Sequence, residues 1–385
     1  MAVTDLGGGK FRVRVYNPNM GGSQYQKVVH GKRAADAHEA EMRVKFARGQ
    51  VIDPNAGKIT FGKYAQEALE ARRLTPGTRA NYLRLIERIM PIWGHRPLRS
   101  LKHSDAIGLT TALRAQSDGG STHNAIVLAR SICRQALADG YLDRNPFASL
   151  KMTTGHAARP DFEPTWEQVR AASRGRSKSA AQVMLMATSG LRRGEVAGLE
   201  LAGIDWLRRT ITVTQQLRAM SAAQAERIGS GKSGFYLSPA KTPAGRDRVI
   251  PVPQFLLDTL AAYLSTHPAV ERTLPWTEPE AARARTTSLV FGLATTDTMT
   301  RSITDRGRKA GGTWSPHDLR HLYASTLEQA GVPLRTVQEV MGHAPKGITG
   351  MYTHVQAHSL ELIVPVIEGA WFGAADESRH VTRAL

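Results

Sequence analysis

Cysteine occurs once in 385 residues, at Cys133, and that scarcity removes whole chemistries. No disulfide framework can form within the chain and no cysteine-built zinc site is possible. Cys133 lies in an apolar helical stretch, so a buried small hydrophobe is expected. Long apolar runs are missing too: none approaches the ~20 residues of a membrane span. Met1 to Arg14 has no apolar segment of signal-peptide length, so a soluble cytoplasmic protein is expected. Acidic residues are in deficit, 33 against 51 lysines and arginines, for a formal charge of +18 and a pI near 10.4. That balance calls for a polyanionic partner, of which nucleic acid is the commonest. Hydrophobic residues make up 41% of the chain, enough for two or three domains with their own cores. No internal repeat or low-complexity block is present.

The pattern along the chain is mainly helical, with small β elements. Residues 10–16 alternate basic and apolar, the signature of a half-buried strand with Arg12 and Arg14 on one face. Asn17 to Gly22 reads as a turn, Tyr25 to Val29 (with Lys27) as a second strand, and Ala34 to Arg48 as a helix. A basic strand face of this kind can enter a major groove, and it can equally be a solvated face. Residues 1–57 are thus expected to form a small sheet plus a helix, closed by a linker over Gly49 to Lys58. Residues 58–152 read as a helical domain. Its stripes are Phe61, Tyr64, Ala65 and Leu69; then Tyr82, Leu85, Ile86 and Ile89; then Ile126, Ala129, Cys133 and Leu137. Leu98, Leu101 and Ile107 bracket a short connection in which Ser104 or Asp105 suits a helix cap. Arginines such as Arg79, Arg84 and Arg88 suit a clamp on a DNA backbone.

Thr153 to Pro164 reads as a linker, and residues 160–385 as a third, mixed α/β but mostly α domain. Within it a helix is expected over Trp166 to Leu185 and a strand over Thr210 to Thr214. A loop is expected over 218–234, with strands at Tyr236–Leu237 and Arg248–Ile250 flanking a tight hairpin. Helices are expected for most of the chain from Phe255 on. Gly231-Lys232-Ser233 resembles the end of a phosphate loop, but Glu226 stands where the first glycine belongs, which argues against an ATPase.

Six residues of the second half fall in a fixed order: Arg192, Lys241, His317, Arg320, His343 and Tyr352. Arg192 follows an apolar helix and Gly190, and Glu195, three residues on, is placed to orient it. Lys241 sits among Pro239, Pro243 and Gly245 on the expected turn, where an ammonium can protonate a leaving oxygen. Ser315-Pro316-His317-Asp318 is a helix start with a capping box, and its first turn carries His317 and Arg320 on one side. Leu319, Leu322 and Leu327 supply the buried face of that helix. His317 and His321 have the spacing of a metal pair, but no third ligand is evident and Arg320 beside them repels a cation, so no metal is expected. Gly331 and Pro333 end the helix before Leu334 to Met341 begin another. Tyr352 needs its anion stabilised before it can act as a nucleophile, which two arginines and a phosphate-bound histidine can do. Tyr323, inside the His317 helix, reads as packing. Taken singly, Lys241 and either histidine have ordinary surface explanations; the joint order is what points to chemistry on a phosphate.

Together these motifs resemble the tyrosine recombinase (phage integrase) family. Ser189 replaces the usual threonine before Gly190, and Met341 the usual leucine before Gly342-His343. The resemblance implies a site-specific recombinase or integrase of a temperate phage or integrative element, nucleoid-associated, using no cofactor, metal or ATP. It implies that Tyr352 attacks a DNA phosphate to form a 3′-phosphotyrosyl bond. Arg192, Arg320 and His343 would hold the phosphate, His317 would act as acid/base and Lys241 would protonate the 5′-oxygen. It casts residues 1–57 as an arm-type DNA-binding domain, 58–152 as a core-binding domain and 160–385 as catalytic. The implied partners are double-stranded DNA attachment sites and a homotetramer on DNA linked by the apolar tail (Leu360, Leu362, Ile363, Val364, Val366, Ile367, Trp371, Phe372), with packing of that tail on its own domain as the equal alternative. An excisionase and a host DNA-bending protein are candidate accessories. Deleting residues 358–385 is then expected to abolish synapsis and spare DNA binding. Two other functions compete: a type IB topoisomerase, and a non-enzymatic DNA-binding regulator using residues 317–341.

Overall fold

The computed structural model describes residues 3–16, 24–47, 58–117, 119–151, 163–219, 234–278, 281–343 and 360–373. The chain divides into two compact units, Met1–Ala157 and Ala158–Leu385. Among the described residues the fold is mainly α with three small sheets.

In the first unit, β1 (Val3–Asp5), β2 (Lys10–Tyr16) and β3 (Gln24–His30) form an antiparallel sheet. The helix α1 (Lys32–Ala47) covers one face, where Val13 and Val15 pack with Ala35 and Met42. Arg12 and Arg14 alternate with those valines and so lie on the uncovered face. Lys27 pairs with Val13 across the strands and therefore projects to the α1 side, at an exposed position. Lys27 is thus on the opposite face of the sheet from Arg12 and Arg14. β1 has no sequence signature because three residues are too few for alternation to register.

A separate core is built by α2 (Phe61–Glu70), α3 (Pro76–Trp93), α4 (His103–Gln116) and α5 (Gly120–Ala138). Thr60 and Thr75 cap α2 and α3 through their side chains, and Pro76 takes the first turn of α3, where its missing N–H costs nothing. Cys133 is fully buried, and burial pushes its thiol up to about 12. Two details differ from expectation. Lys102, not Ser104 or Asp105, is the N-cap of α4; Asp105 sits at the third helical position and accepts from the Lys102 N–H at 2.8 Å. Leu137, expected inside, is exposed, because it falls just outside the arc of its helix that meets the core.

In the second unit the helix expected over Trp166 to Leu185 is two, α6 (Trp166–Ala172) and α7 (Lys178–Ser189). The break between them holds Gly175 at φ +90°, a left-handed conformation that ends a helix. After α8 (Arg193–Ala197), two sheets follow. One contains β4 (Ile204–Asp205), β5 (Thr210–Val213) and β8 (Arg248–Pro251) in the order β4-β5-β8. The other contains β6 (Gln216–Ala219), β7 (Phe235–Ser238), β9 (Val270–Glu278) and β10 (Ala281–Leu289) in the order β10-β9-β7-β6. The hairpin expected between β7 and β8 does not exist: the two strands belong to different sheets, and Lys241 lies on the connection between them. Of the loop expected over 218–234, Arg218 and Ala219 instead end β6, and residues 220–233 lie outside the described residues. The nine-residue strands β9 and β10 overturn the helical reading of that stretch. Pro275 concealed the first of them, since proline is rare inside a paired strand.

The remaining helices are α9 (Gln254–Leu264), α10 (Thr296–Lys309), α11 (Pro316–Gln329), α12 (Leu334–Val340) and α13 (Ile363–Phe372). The last one packs on its own unit in the single chain, one of the two arrangements expected of the apolar tail. Ile363 and Ile367 are fully buried in a cluster with Tyr323, Leu327, Val337 and Val340, and Trp371 stacks on Phe255 at 4.9 Å. Residues 360–373 therefore belong to their own unit's core. No helix among the described residues is long and apolar enough to cross a membrane.

Candidate active site

The centre of the site is a turn, Met341-Gly342-His343, where α12 ends. Gly342 has φ +62°, and a Cβ there would lie 2.8 Å from the Cα of Gly245, so only glycine fits the backbone this close. Both expected arginines reach this turn. Arg192 is the N-cap of α8, two residues after the left-handed Gly190 that terminates α7. Its Nη2 donates to the carbonyl of Gly342 at 3.2 Å. Arg320, on the first turns of α11, is buried; it donates to the carbonyls of Gly190 and Met341 and to His343 Nε2, the last at 3.1 Å. A third strut comes from the Lys241 segment: Thr242 Oγ1 donates to the Gly342 carbonyl at 2.7 Å.

Under the arginines lies Glu195, expected to orient Arg192. It accepts from the Arg192 backbone N–H at 2.8 Å and from Arg192 Nη1 at 3.1 Å. It is also held by Arg248, a residue absent from the expected set. Arg248 donates Nη1 to Glu195 Oε1 at 3.2 Å and Nη2 to Oε2 at 2.7 Å, with both side chains almost fully buried. A signal for Arg248 exists in the chain: Arg248 and Ile250 lie on the same, buried side of β8, and a cation on the inward face of a strand needs a buried partner. Burial alone would raise the Glu195 pKa, but the bond and charge of Arg248, and then those of Arg192, hold the carboxyl below its ordinary range. Burial, and next the charge of Arg192, push Arg320 down to about 9, which leaves it a cation at neutral pH. Three guanidinium groups around one carboxylate leave a strong positive excess, suited to a phosphate.

His317 is on the first turn of α11, which Ser315 and Asp318 cap as expected: Asp318 Oδ2 accepts from the Ser315 N–H at 2.7 Å. Its ring meets His321 edge-on at 4.5 Å. Both His317 and His343 keep an accessible edge, yet their partial burial lowers both pKa values. Electrostatic interaction with neighbours adds to this, from His321 and then Arg320 for His317, and from Arg320 and then Arg192 for His343. Among the described residues no group of three or more His, Cys, Asp and Glu is placed to hold a metal ion. Lys241 is exposed, next to Thr242. Tyr352 lies outside the described residues. Tyr323 is fully buried, as packing requires.

Of the residues expected on DNA, Arg79 donates to the Leu69 carbonyl at 3.3 Å and Arg84 to Asn81 at 3.0 Å. Arg88 donates to Ser121 at 3.1 Å and Thr122 at 3.0 Å, tying α3 to the start of α5.

The phage integrase family model matches residues 167–359. Tyrosine recombinase XerA of Pyrococcus furiosus is 31% identical over 181 residues, which cover 46% of this chain and 51% of that protein. Tyrosine recombinase XerD of Mycobacterium tuberculosis is 26% identical over 301 residues, 73% of this chain and 81% of that one. The chain spans about half the length of the first curated relatives it matches. The Tn1549 transposon integrase, solved in complex with transposon right end DNA, superposes at a TM-score of 0.61 with 19% identity, covering 79% of this chain and 98% of that one. A lambda integrase tetramer bound to a Holliday junction superposes at 0.52 with 14% identity, covering 92% and 98%. At these identities the structural likeness is one of fold.

Proposed function

The chain belongs to the phage integrase family, and from that premise we propose that it is a site-specific DNA recombinase working through a covalent tyrosyl intermediate. The observation that carries the reading is the convergence of Arg192, Arg320 and His343 on one turn, above a carboxylate that orients the first of them. Two cations fixed in place before substrate arrives are what a phosphoryl transition state needs, because no reorganisation is left for the reacting step.

In the proposed reaction the oxygen of Tyr352 attacks the scissile phosphorus in line, and the bond from phosphorus to the 5′-oxygen breaks. His317 takes the tyrosine proton; its lowered pKa keeps the ring neutral and able to accept one. Lys241, exposed at the site's edge, gives a proton to the departing 5′-oxygen. Arg192 and Arg320 stabilise the charge on the non-bridging oxygens, and His343 donates to them. The product is a 3′-phosphotyrosyl bond and a free 5′-hydroxyl. That bond keeps the phosphodiester energy, so the same steps in reverse join a different strand.

Residues 1–57 are read as the arm-type DNA-binding domain, presenting Arg12 and Arg14 from the uncovered face of its sheet, and residues 58–152 as the core-binding domain. Double-stranded attachment sites are the substrates, and four protomers on two duplexes the working assembly, in line with the lambda integrase tetramer on a Holliday junction. Integration and excision of a mobile element is the biological role proposed.

The test uses overlapping nicked duplexes tiling the DNA that abuts the coding gene. The native chain should form a covalent protein–DNA band on one of them, and Tyr352→Phe should bind that duplex without forming the band. A covalent adduct in Tyr352→Phe would move the nucleophile elsewhere; a salt-sensitive shift with no adduct from the native chain would favour a binding protein. Relaxation of plasmids lacking that duplex would favour a topoisomerase.

A further inference from the structure

Arg248 has a place in the site that neither its sequence position nor a simple buried ion pair accounts for. Its guanidinium joins three separate segments. Nε donates to the carbonyl of Val340, the last residue of α12, at 2.9 Å. Nη1 donates to the carbonyl of Gly245, on the segment that carries Lys241, at 2.9 Å. Nη1 and Nη2 together hold Glu195, on the turn that carries Arg192. The plane of the group also lies against Gly342: a Cβ added there would sit 3.2 Å from Arg248 Cζ and Nε. The segments bearing Arg192, Lys241 and His343 are thus pinned to one side chain.

The carboxylate between the two arginines is saturated. Glu195 Oε1 accepts from Arg192 Nη1 and Arg248 Nη1, and Oε2 accepts from the Arg192 N–H and Arg248 Nη2. That uses all of the roughly four acceptor positions of a carboxylate. Arg192 therefore spends only one guanidinium hydrogen on Glu195, and another on Gly342. Without Arg248, half the carboxylate would be bare and buried. The nearest donor able to fill it is the rest of the Arg192 fork, since an unpaired buried carboxylate is costly and a bidentate arginine is its best partner. Arg192 would then turn inward, away from the substrate.

We propose that Arg248 is a positioning residue for the reaction: by occupying half of Glu195 it keeps a guanidinium edge of Arg192 free for the scissile phosphate. The inference rests on the recombinase reading above. It differs from a purely structural role, which would change the fraction of folded protein without changing the rate at which a folded, DNA-bound molecule cleaves.

The experiment uses the full chain and the nicked duplex that traps it covalently, with single-turnover adduct formation, DNA affinity at fixed salt and thermal unfolding measured on each variant. Arg248→Gln should bind that duplex with unchanged affinity and form adduct about a hundredfold more slowly, as a misplacement of about 1 Å at the reacting centre would produce. Arg248→Lys keeps the buried charge, and so the fold, but lacks the fork; it should lose about tenfold. Because Arg248 acts through Glu195, the double variant Glu195→Gln/Arg248→Gln should be no slower than the slower single one. Arg248→Lys cleaving at the native rate, or losses that multiply in the double variant, would overturn the proposal, and Arg248→Lys alone decides between the two roles if Arg248→Gln does not fold. Native adduct formation alongside either result sinks only the role of Arg248. No adduct from the native chain sinks the recombinase reading and this one with it.

Discussion

Arg192 and Arg320, separated by more than a hundred residues of sequence, donate to adjacent carbonyls of one turn: Arg192 to Gly342, Arg320 to Met341. Each arginine therefore arrives pre-aimed, and each spends only part of its five N–H donors on the protein. Lysine can replace the charge at either position but not the fork. Arg192→Lys and Arg320→Lys are each expected to bind the cleavable duplex nearly normally and to form adduct about 10²–10³-fold more slowly, the usual cost of losing one preorganised donor to a developing oxyanion. Single-turnover adduct formation checks this. A proportional loss of DNA affinity in place of rate would mean that the arginines serve binding rather than the reaction.

His343 gives a prediction in pH. Arginine has no acceptor, so in the DNA-free chain His343 Nε2 must be the acceptor of the bond to Arg320, and Nδ1 carries the ring proton. Its lowered pKa and that of His317 agree with neutral rings. A folded-state pKa below the ordinary 6.5 means that the unfolded chain binds more protons. Stability should therefore fall as pH drops below 6.5 toward the folded values. A bound phosphate reverses the local field, raises both pKa values and takes up protons. Affinity for the cleavable duplex should thus tighten as pH falls from about 7.5 to about 6, by up to about tenfold for each unit of pKa rise. His343→Asn should lose its share of that gain. Affinity that stays flat or weakens over this range would count against a phosphate beside these rings.

Much of this site could be read from local signals. The capping box at Ser315 and Asp318 follows from residue types at fixed offsets, and so do Gly190 as a helix stop and Glu195 one turn after Arg192. What could not be read depends on pairing between distant segments. In sequence Arg248 is one residue of a short strand, because its partners Val340, Gly245 and Glu195 come from three places in the chain. The same limit produces the false hairpin around Lys241: two strands close in sequence are normally neighbours, and nothing local reveals that β7 instead pairs with β6 and β9. The tail is legible as apolar, but apolarity does not say whose core it enters.

Gly190 provides a test of how tightly the site is packed. Its φ is +62°, and a Cβ there would lie 2.5 Å from Cδ1 of Tyr323 and 2.9 Å from Sδ of Met341. Tyr323 is fully buried. Gly331, at φ +77°, has a similar backbone but nothing within 4 Å of such a Cβ. Gly331→Ala should cost only the backbone term, about 1–2 kcal/mol. Gly190→Ala should cost that plus an overpacking term of about 1–3 kcal/mol, and should slow adduct formation as well, because the Gly190 carbonyl is one of the anchors of Arg320. Denaturant midpoints for the two variants decide it; equal losses would show that the ring of Tyr323 yields.

The tail helix separates packing within a protomer from linkage between protomers. Trp371 stacks on Phe255, meets Trp166 edge-on at 6.2 Å and is 8% exposed, while Arg170 donates to its carbonyl. Burial on this scale belongs to a core, and Trp371→Ala should cost about 3–5 kcal/mol. Truncation before Leu360 also strips Ile363 and Ile367 from the cluster that holds α11 and α12 in register, and those helices carry Arg320 and lead into His343. Such a truncation should lower the thermal midpoint and depress single-site cleavage, not only assembly on paired sites. If removal of residues 360–385 instead spared both stability and single-site cleavage while abolishing recombination, the helix would owe its burial to a neighbouring protomer.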